Sequence, residues 1–204
     1  MILAIDTCLD TFSVALVAGE VCLAEVRGGK PKSHLTQIYP ALQACLAAAG
    51  ASLEEVSAVA VTTGPGSFTG VRLGVLVART LGQTRGLPLV AVDTLEALAL
   101  NAPWQDVTVA VDARKSQVVW ARYRVGGSGR PVVLEAPRLV AASSFVVEDG
   151  VVLGNALVRY PQPRARCLNG VQVQGAHVGR LGGLLPAVTW RELLPEYLRD
   201  ADVS

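Results

Sequence analysis

The run Leu3-Ala4-Ile5-Asp6 returns near the middle of the chain as Val109-Ala110-Val111-Asp112. Each is a short apolar segment ending on an acid. Each is followed by a polar turn and a second apolar segment, Phe12–Ala18 after the first and Gln117–Tyr123 after the second. A chain of 204 residues that opens the same way twice is constrained toward two related lobes, each beginning with an antiparallel strand pair.

The first lobe is the more regular. Leu3–Asp6, Phe12–Ala18 and Val21–Arg27 read as strands, with Ala18-Gly19-Glu20 as a turn. Thr36–Ala49 carries Ile38, Leu42, Cys45, Leu46 and Ala49 at helical spacing and stops at Gly50. Val56–Val61 reads as a strand, Val71–Arg85 as a helix ended by Gly86, and Pro88–Val92 as another strand. Asp93 with Glu96 three residues later predicts a capped helix over Thr94–Asn101. The order βββαβαβα implies a mixed sheet with helices on its faces.

Asn101–Asp106, with Ala102-Pro103-Trp104, reads as a lobe boundary, dividing the chain into 1–102 and 103–204. In the second half Val132–Leu134 predicts a third strand, Ser143–Glu148 a weak helix and Val151–Leu153 a short strand, while Gly175–Leu185 is broken by glycine. The second lobe therefore reads as a reduced copy. The fold class expected is α/β, two-lobed and actin-like, the architecture of Hsp70 and the sugar kinases.

Composition narrows the function. Half the residues are apolar and 17% are charged, which excludes a disordered chain. No apolar run approaches the roughly 20 residues that span a bilayer, and the first residues lack a basic leader, so a cytoplasmic location away from membranes is expected. Net charge is +1 with no long block of one sign, so a nucleic-acid role would have to be shared with a partner. Cys8, Cys22, Cys45 and Cys167 show no CxxC spacing, and the histidines are His34 and His177; buried reduced thiols are expected rather than a zinc site.

The loudest motif is Gly64-Pro65-Gly66-Ser67-Phe68-Thr69-Gly70, between a strand and a helix. It is not a Walker A loop, because Gly70 is followed by Val71 instead of lysine. Pro65 and Thr69 stand where a nucleophile elbow around Ser67 needs glycine. A dinucleotide fingerprint would place its third glycine at Thr69 and would open the domain, whereas three strands and a helix precede this loop. Two readings stay open: a tight turn that lets the helix pack on its strand, or a close approach of backbone to a ligand at a helix start. Asp6, Thr7 and Asp112 occupy strand ends where phosphotransferases of this architecture hold a metal-bound nucleotide, but the glycines of such loops are missing after them. They are read as a vestigial nucleotide site, with a small-molecule kinase as the alternative function.

The first-lobe helices lack a charged face. From Ser33 to Leu53 there is no Asp, Glu, Lys or Arg, and Ala41, Ala44 and Ala48 lie opposite the apolar stripe. In the next helix Gly74, Ala78 and Gly82 recur every four residues. These positions are read as a partner interface, close packing within the lobe being the alternative.

Taken with Val111-Asp112-Ala113-Arg114, Val119-Trp120-Ala121 and Tyr197-Leu198-Arg199, the first strand and the segment Gly64–Gly74 make the chain resemble the TsaB (YeaZ) family. That resemblance implies a non-catalytic protein in the bacterial synthesis of threonylcarbamoyladenosine in tRNA. It implies association with the paralogous transferase TsaD through first-lobe helices, a homodimer over the same surface in its absence, the ATPase TsaE at the TsaB–TsaD junction, and TsaC supplying threonylcarbamoyl-adenylate. TsaD carries a metal-binding HxxxH pair; Thr94 and Leu98 stand at those places here, and neither can replace an imidazole. No catalytic residue, metal or cofactor of this chain is then expected, ATP or ADP belonging to the complex and tRNA meeting the complex as a whole. A hydrolase reading finds no nucleophile elbow near either histidine.

Overall fold

The structure is a computed structural model that describes residues 1–29, 33–103, 105–127 and 129–197. Trp104 of the expected boundary and the Leu198-Arg199 pair lie outside the described residues. The strands are β1 (Ile2–Asp6), β2 (Phe12–Ala18), β3 (Val21–Gly28), β4 (Ala58–Gly64), β5 (Leu89–Asp93), β6 (Gln105–Arg114), β7 (Gln117–Val125), β8 (Val132–Ala141), β9 (Val151–Leu153) and β10 (Arg166–Leu168). The helices are α1 (His34–Ala48), α2 (Phe68–Arg85), α3 (Thr94–Ala99) and α4 (Gly175–Gly182). Among the described residues no helix is long and apolar enough to cross a membrane.

The internal echo is a duplication of topology. One sheet runs β3-β2-β1-β4-β5 and the other β8-β7-β6-β9-β10. In both, the first strand lies antiparallel to the second and parallel to the fourth, and the fifth is parallel to the fourth. Asp6 and Asp112 thus stand at equivalent places on β1 and β6. This is the actin-like α/β arrangement.

The division into units differs from the one expected at residue 102. The first unit takes Met1–Thr94 and then Val173–Pro195, and the second begins at Leu95. The returning segment contains α4, where the sequence reading saw only a glycine-broken stretch. Gly175, Gly179 and Gly182 fall on one helical face, and that face lies against Ser13 and Ala15, against Val17 and Ala4, and against Ala60. Glycine helps here because the opposing sheet face is lined with alanine: a Cβ on Gly179 would come within 2.5 Å of Val17 Cγ2. The start of α4 is fixed by Glu25, whose carboxylate accepts from Gly175 N at 2.8 Å and Ser13 Oγ at 2.7 Å. Those hydrogen bonds and the Arg27 guanidinium outweigh burial and hold the Glu25 carboxyl below its ordinary range.

On the other face of the same sheet α1 and α2 share one core. Ile38, Leu42 and Cys45 of α1 and Leu73 and Ala78 of α2 pack with Leu3, Ile5, Leu16, Val59 and Val61. α2 begins three residues earlier than the apolar spacing suggests, because Ser67 caps it: its Oγ accepts from Gly70 N.

The second unit keeps its sheet and little else. The helix expected over Ser143–Glu148 is a single 3-10 turn at Ala142–Ser144. Phe145 is drawn into the small core with Ala110, Val118 and Ala156. Gln162 then satisfies the backbone that a helix would have paired, accepting from Val147 N at 2.8 Å and donating to Phe145 O at 3.1 Å.

Candidate functional site

In the first unit the ends of parallel strands β1 and β4 meet the glycine loop. Asp6 closes β1 and is 1% exposed. Its Oδ1 accepts from Thr62 Oγ1 at 2.6 Å and from Cys8 N at 3.1 Å. Burial pushes the Asp6 carboxyl up to about 6, against the hydrogen bonds from Thr62 and Cys8 that lower it. Burial and the neighbouring Asp6 push the Cys8 thiol up to about 12. Its Sγ donates toward Thr62 Oγ1 at 3.2 Å. Such a thiol is no nucleophile at neutral pH.

The loop's glycines are used against the chain's own backbone. Ser67 N donates to Cys8 O at 2.7 Å, and Thr7 Oγ1 donates to Gly70 O at 2.6 Å. A Cβ on Gly66 would lie 2.4 Å from Cys8 O, and one on Gly70 would lie 2.1 Å from Thr7 O. Gly64, followed by a cis bond to Pro65, has φ +128°, which disfavours any side chain. Of the two readings of Gly64–Gly70, the tight turn is therefore the one observed. The loop clamps α2 onto the turn that follows β1, with Phe68 and Thr69 left exposed at the helix start. Asp6 and Thr7 are buried parts of that clamp.

In the second unit Asp112 is held equally firmly. Its Oδ1 accepts from Arg114 N at 2.8 Å, its own N donates to Asn155 Oδ1 at 2.9 Å, and its side chain is 6% exposed. Arg114 and Arg159 approach Oδ2 at 3.4 and 3.8 Å. Arg114, Lys115 and Ser116 have φ values of +64°, +48° and +55°, three consecutive left-handed residues in the β6–β7 turn. The turn follows the twist of its strands without the glycine such turns normally use. Among the described residues no group of three or more His, Cys, Asp and Glu side chains is placed to hold a metal ion.

The expected partner stripe faces the wrong way. Gly74 lies against Thr7 and Val61, Gly82 against Leu89, and Ala78 and Ala41 are buried. Small residues at these positions bring α2 close to its own sheet, which leaves them unavailable to another molecule. Of the residues singled out, Ala44 and Ala48 are exposed. The outward faces carry others that the sequence reading missed. Leu35 and Tyr39 of α1 are 73% and 65% exposed, and Leu76 and Phe68 of α2 are 62% and 48% exposed. The Arg72 guanidinium lies 3.7 Å over the Phe68 ring. The signal was available in the register: Leu35 and Tyr39 sit four apart and off the Ile38–Leu42–Cys45 stripe, and Leu76 lies opposite Gly74 and Ala78.

Comparison with known proteins places this geometry among relatives. The family model described as TsaD, tRNA N6-adenosine threonylcarbamoyltransferase, matches residues 26–144. The tRNA threonylcarbamoyladenosine biosynthesis protein TsaB of Escherichia coli is 38% identical over 140 residues, covering 63% of this chain and 57% of that protein. The chain's match spans a similar share, 55%, of the TsaB of Bacillus subtilis. An uncharacterized protein of Mycobacterium bovis is 31% identical over 209 residues, covering 100% of this chain and 93% of the relative. Among solved structures, YeaZ from Pseudomonas aeruginosa superimposes with a TM-score of 0.84 at 28% identity, covering 97% of this chain and 99% of that one.

Proposed function

Because the chain belongs to the TsaD-related TsaB (YeaZ) family, we propose that it serves tRNA threonylcarbamoylation as a subunit with no chemistry of its own. It docks on a TsaD-type transferase and holds that enzyme in a competent conformation. The observation that carries this reading is the outer side of α1 and α2, where Leu35, Tyr39, Phe68 and Leu76 are exposed on helices fixed to one core. α1 contains no Asp, Glu, Lys or Arg, so no charge on it opposes burial against another apolar surface. Without the transferase, the same face pairs two copies of the chain as an isologous dimer. TsaE engages the junction with TsaD, and tRNA meets the assembled complex.

The absence of chemistry is supported by side chains. Thr94 and Leu98, at the places of the transferase's histidine pair, are fully buried on α3. Glu96 on the same helix is paired with Arg130, whose Nη2 lies 3.1 Å from Oε2. Asp6 and Asp112, the residues a phosphotransferase would use, are tied into their own turns.

Asp112 separates this reading from the kinase alternative. In Asp112→Asn the Oδ1 acceptor for Arg114 N survives while the negative charge is lost. With TsaC, TsaD, TsaE and unmodified tRNA, the variant should support threonylcarbamoyl transfer within about twofold of the wild type, because only a fraction of a kcal/mol of binding is at stake. Loss of transfer by a stable, correctly assembled variant would point to a working nucleotide site instead.

A further inference from the structure

A cation stands in the middle of the apolar stripe on α2. Phe68, Arg72 and Leu76 follow one another at four-residue spacing, and all three are exposed. The Arg72 guanidinium lies 3.7 Å from the centre of the Phe68 ring, so a neighbour on its own helix orders it in advance. Stacking engages the face of a guanidinium. Its N–H donors lie in the plane, at the edge, where a carboxylate binds as a fork. An arginine ordered before docking loses less entropy when it pairs.

The charge on the two docking helices has a single sign. α1 holds no Asp, Glu, Lys or Arg, and α2 holds Arg72, Arg79 and Arg85 without an acid. Arg79 lies 5.9 Å from the Trp190 ring and Arg85 ends the helix, so Arg72 is the cation set beside Leu76. When two copies of the chain meet over these helices, neither helix supplies a carboxylate for the other copy's Arg72. Burying the guanidinium there costs its hydration without an ion pair to offset the loss. A different protein can supply the missing acid.

Resting on the docking reading, we propose that Arg72 sets partner choice on this face. It pairs with a carboxylate of the transferase and, finding none on the helices of a second copy, disfavours the self-paired dimer. The two associations then respond to salt in opposite senses, since screening weakens an attraction between unlike charges and relieves a repulsion between like ones.

The test is sedimentation velocity of the full chain alone and with TsaD, for the wild type and Arg72→Gln, at about 0.05 M and about 0.5 M sodium chloride. Gln keeps a polar stem without the charge, and at an exposed position the fold should be unchanged, which thermal melting checks. For the wild type, the higher salt should weaken TsaD binding about tenfold and leave self-association equal or tighter. Arg72→Gln should bind TsaD about tenfold more weakly at low salt, with a smaller salt dependence, and self-associate at least as well as the wild type. Wild-type affinity for TsaD in Arg72→Gln, or an equal weakening of both associations, overturns the proposal. Leu76→Glu measured alongside locates such a failure. If Leu76→Glu loses TsaD while Arg72→Gln does not, the charge pairing falls and the docking face stands; if both variants bind as the wild type does, both fall.

Discussion

Replacing Asp6 by Asn should flatten the pH dependence of stability between about pH 4 and pH 7. The Asp6 carboxyl titrates near 6 in the folded chain against 3.8 ordinarily. A carboxyl whose folded value is raised binds its proton more tightly when folded. Its contribution is therefore fully present below the ordinary value and is lost as pH rises through the folded one. Two pH units correspond to roughly 2–3 kcal/mol. Asn keeps the Oδ1 that accepts from Thr62 and Cys8 but has no charge to bury. Urea unfolding at several pH values should show wild type and variant diverging as pH rises, with Asp6→Asn the more stable by about 2 kcal/mol at neutral pH. Glu25, held low, acts in the opposite sense, its contribution being lost as pH falls below the ordinary glutamate range. It is common to both proteins and cancels in the difference. Parallel curves would show that Asp6 meets water in the folded state.

The second large effect contrasts two neighbours on α2. Leu76→Glu places a charge at an exposed site and should change stability by less than about 0.5 kcal/mol. It should nevertheless weaken both self-association and transferase binding at least tenfold, since it puts a charge on the proposed docking face. Ala78→Glu, two residues on, buries the same charge against the sheet, and should cost several kcal/mol and unfold the chain. Sedimentation velocity and thermal melting separate the two. A folded Leu76→Glu that binds as the wild type does would remove α2 from the docking surface.

That contrast shows where sequence reasoning stopped. The spacing of Gly74, Ala78 and Gly82 announces a close approach, but small residues look the same whether they admit a neighbouring chain or the protein's own strand. Thr7 and Val61 on one side of Gly74 decide the matter, and both come from distant parts of the sequence. The strands β1, β2, β6 and β7 were legible because apolar runs ending on turns specify them locally. α4 was not, because Gly175, Gly179 and Gly182 read as breakers until the alanine-lined face formed by Ala4, Ala15 and Ala60 is known. For the same reason Asp6 was legible as an acid at a strand end. Its enclosure by Thr62 and Cys8, which makes it a buried tether, was not. Leu35, Tyr39 and Leu76 could have been found by asking which apolar residues lie off each helix's buried stripe.

The proposed role of this chain is one of association. TsaC, TsaD and TsaE should be reconstituted with unmodified tRNA, and threonylcarbamoyl transfer measured with and without it. Transfer should depend on the chain's presence at stoichiometric amounts, with none from the chain alone. Full transfer in its absence, or transfer by the chain without TsaD, would contradict that role.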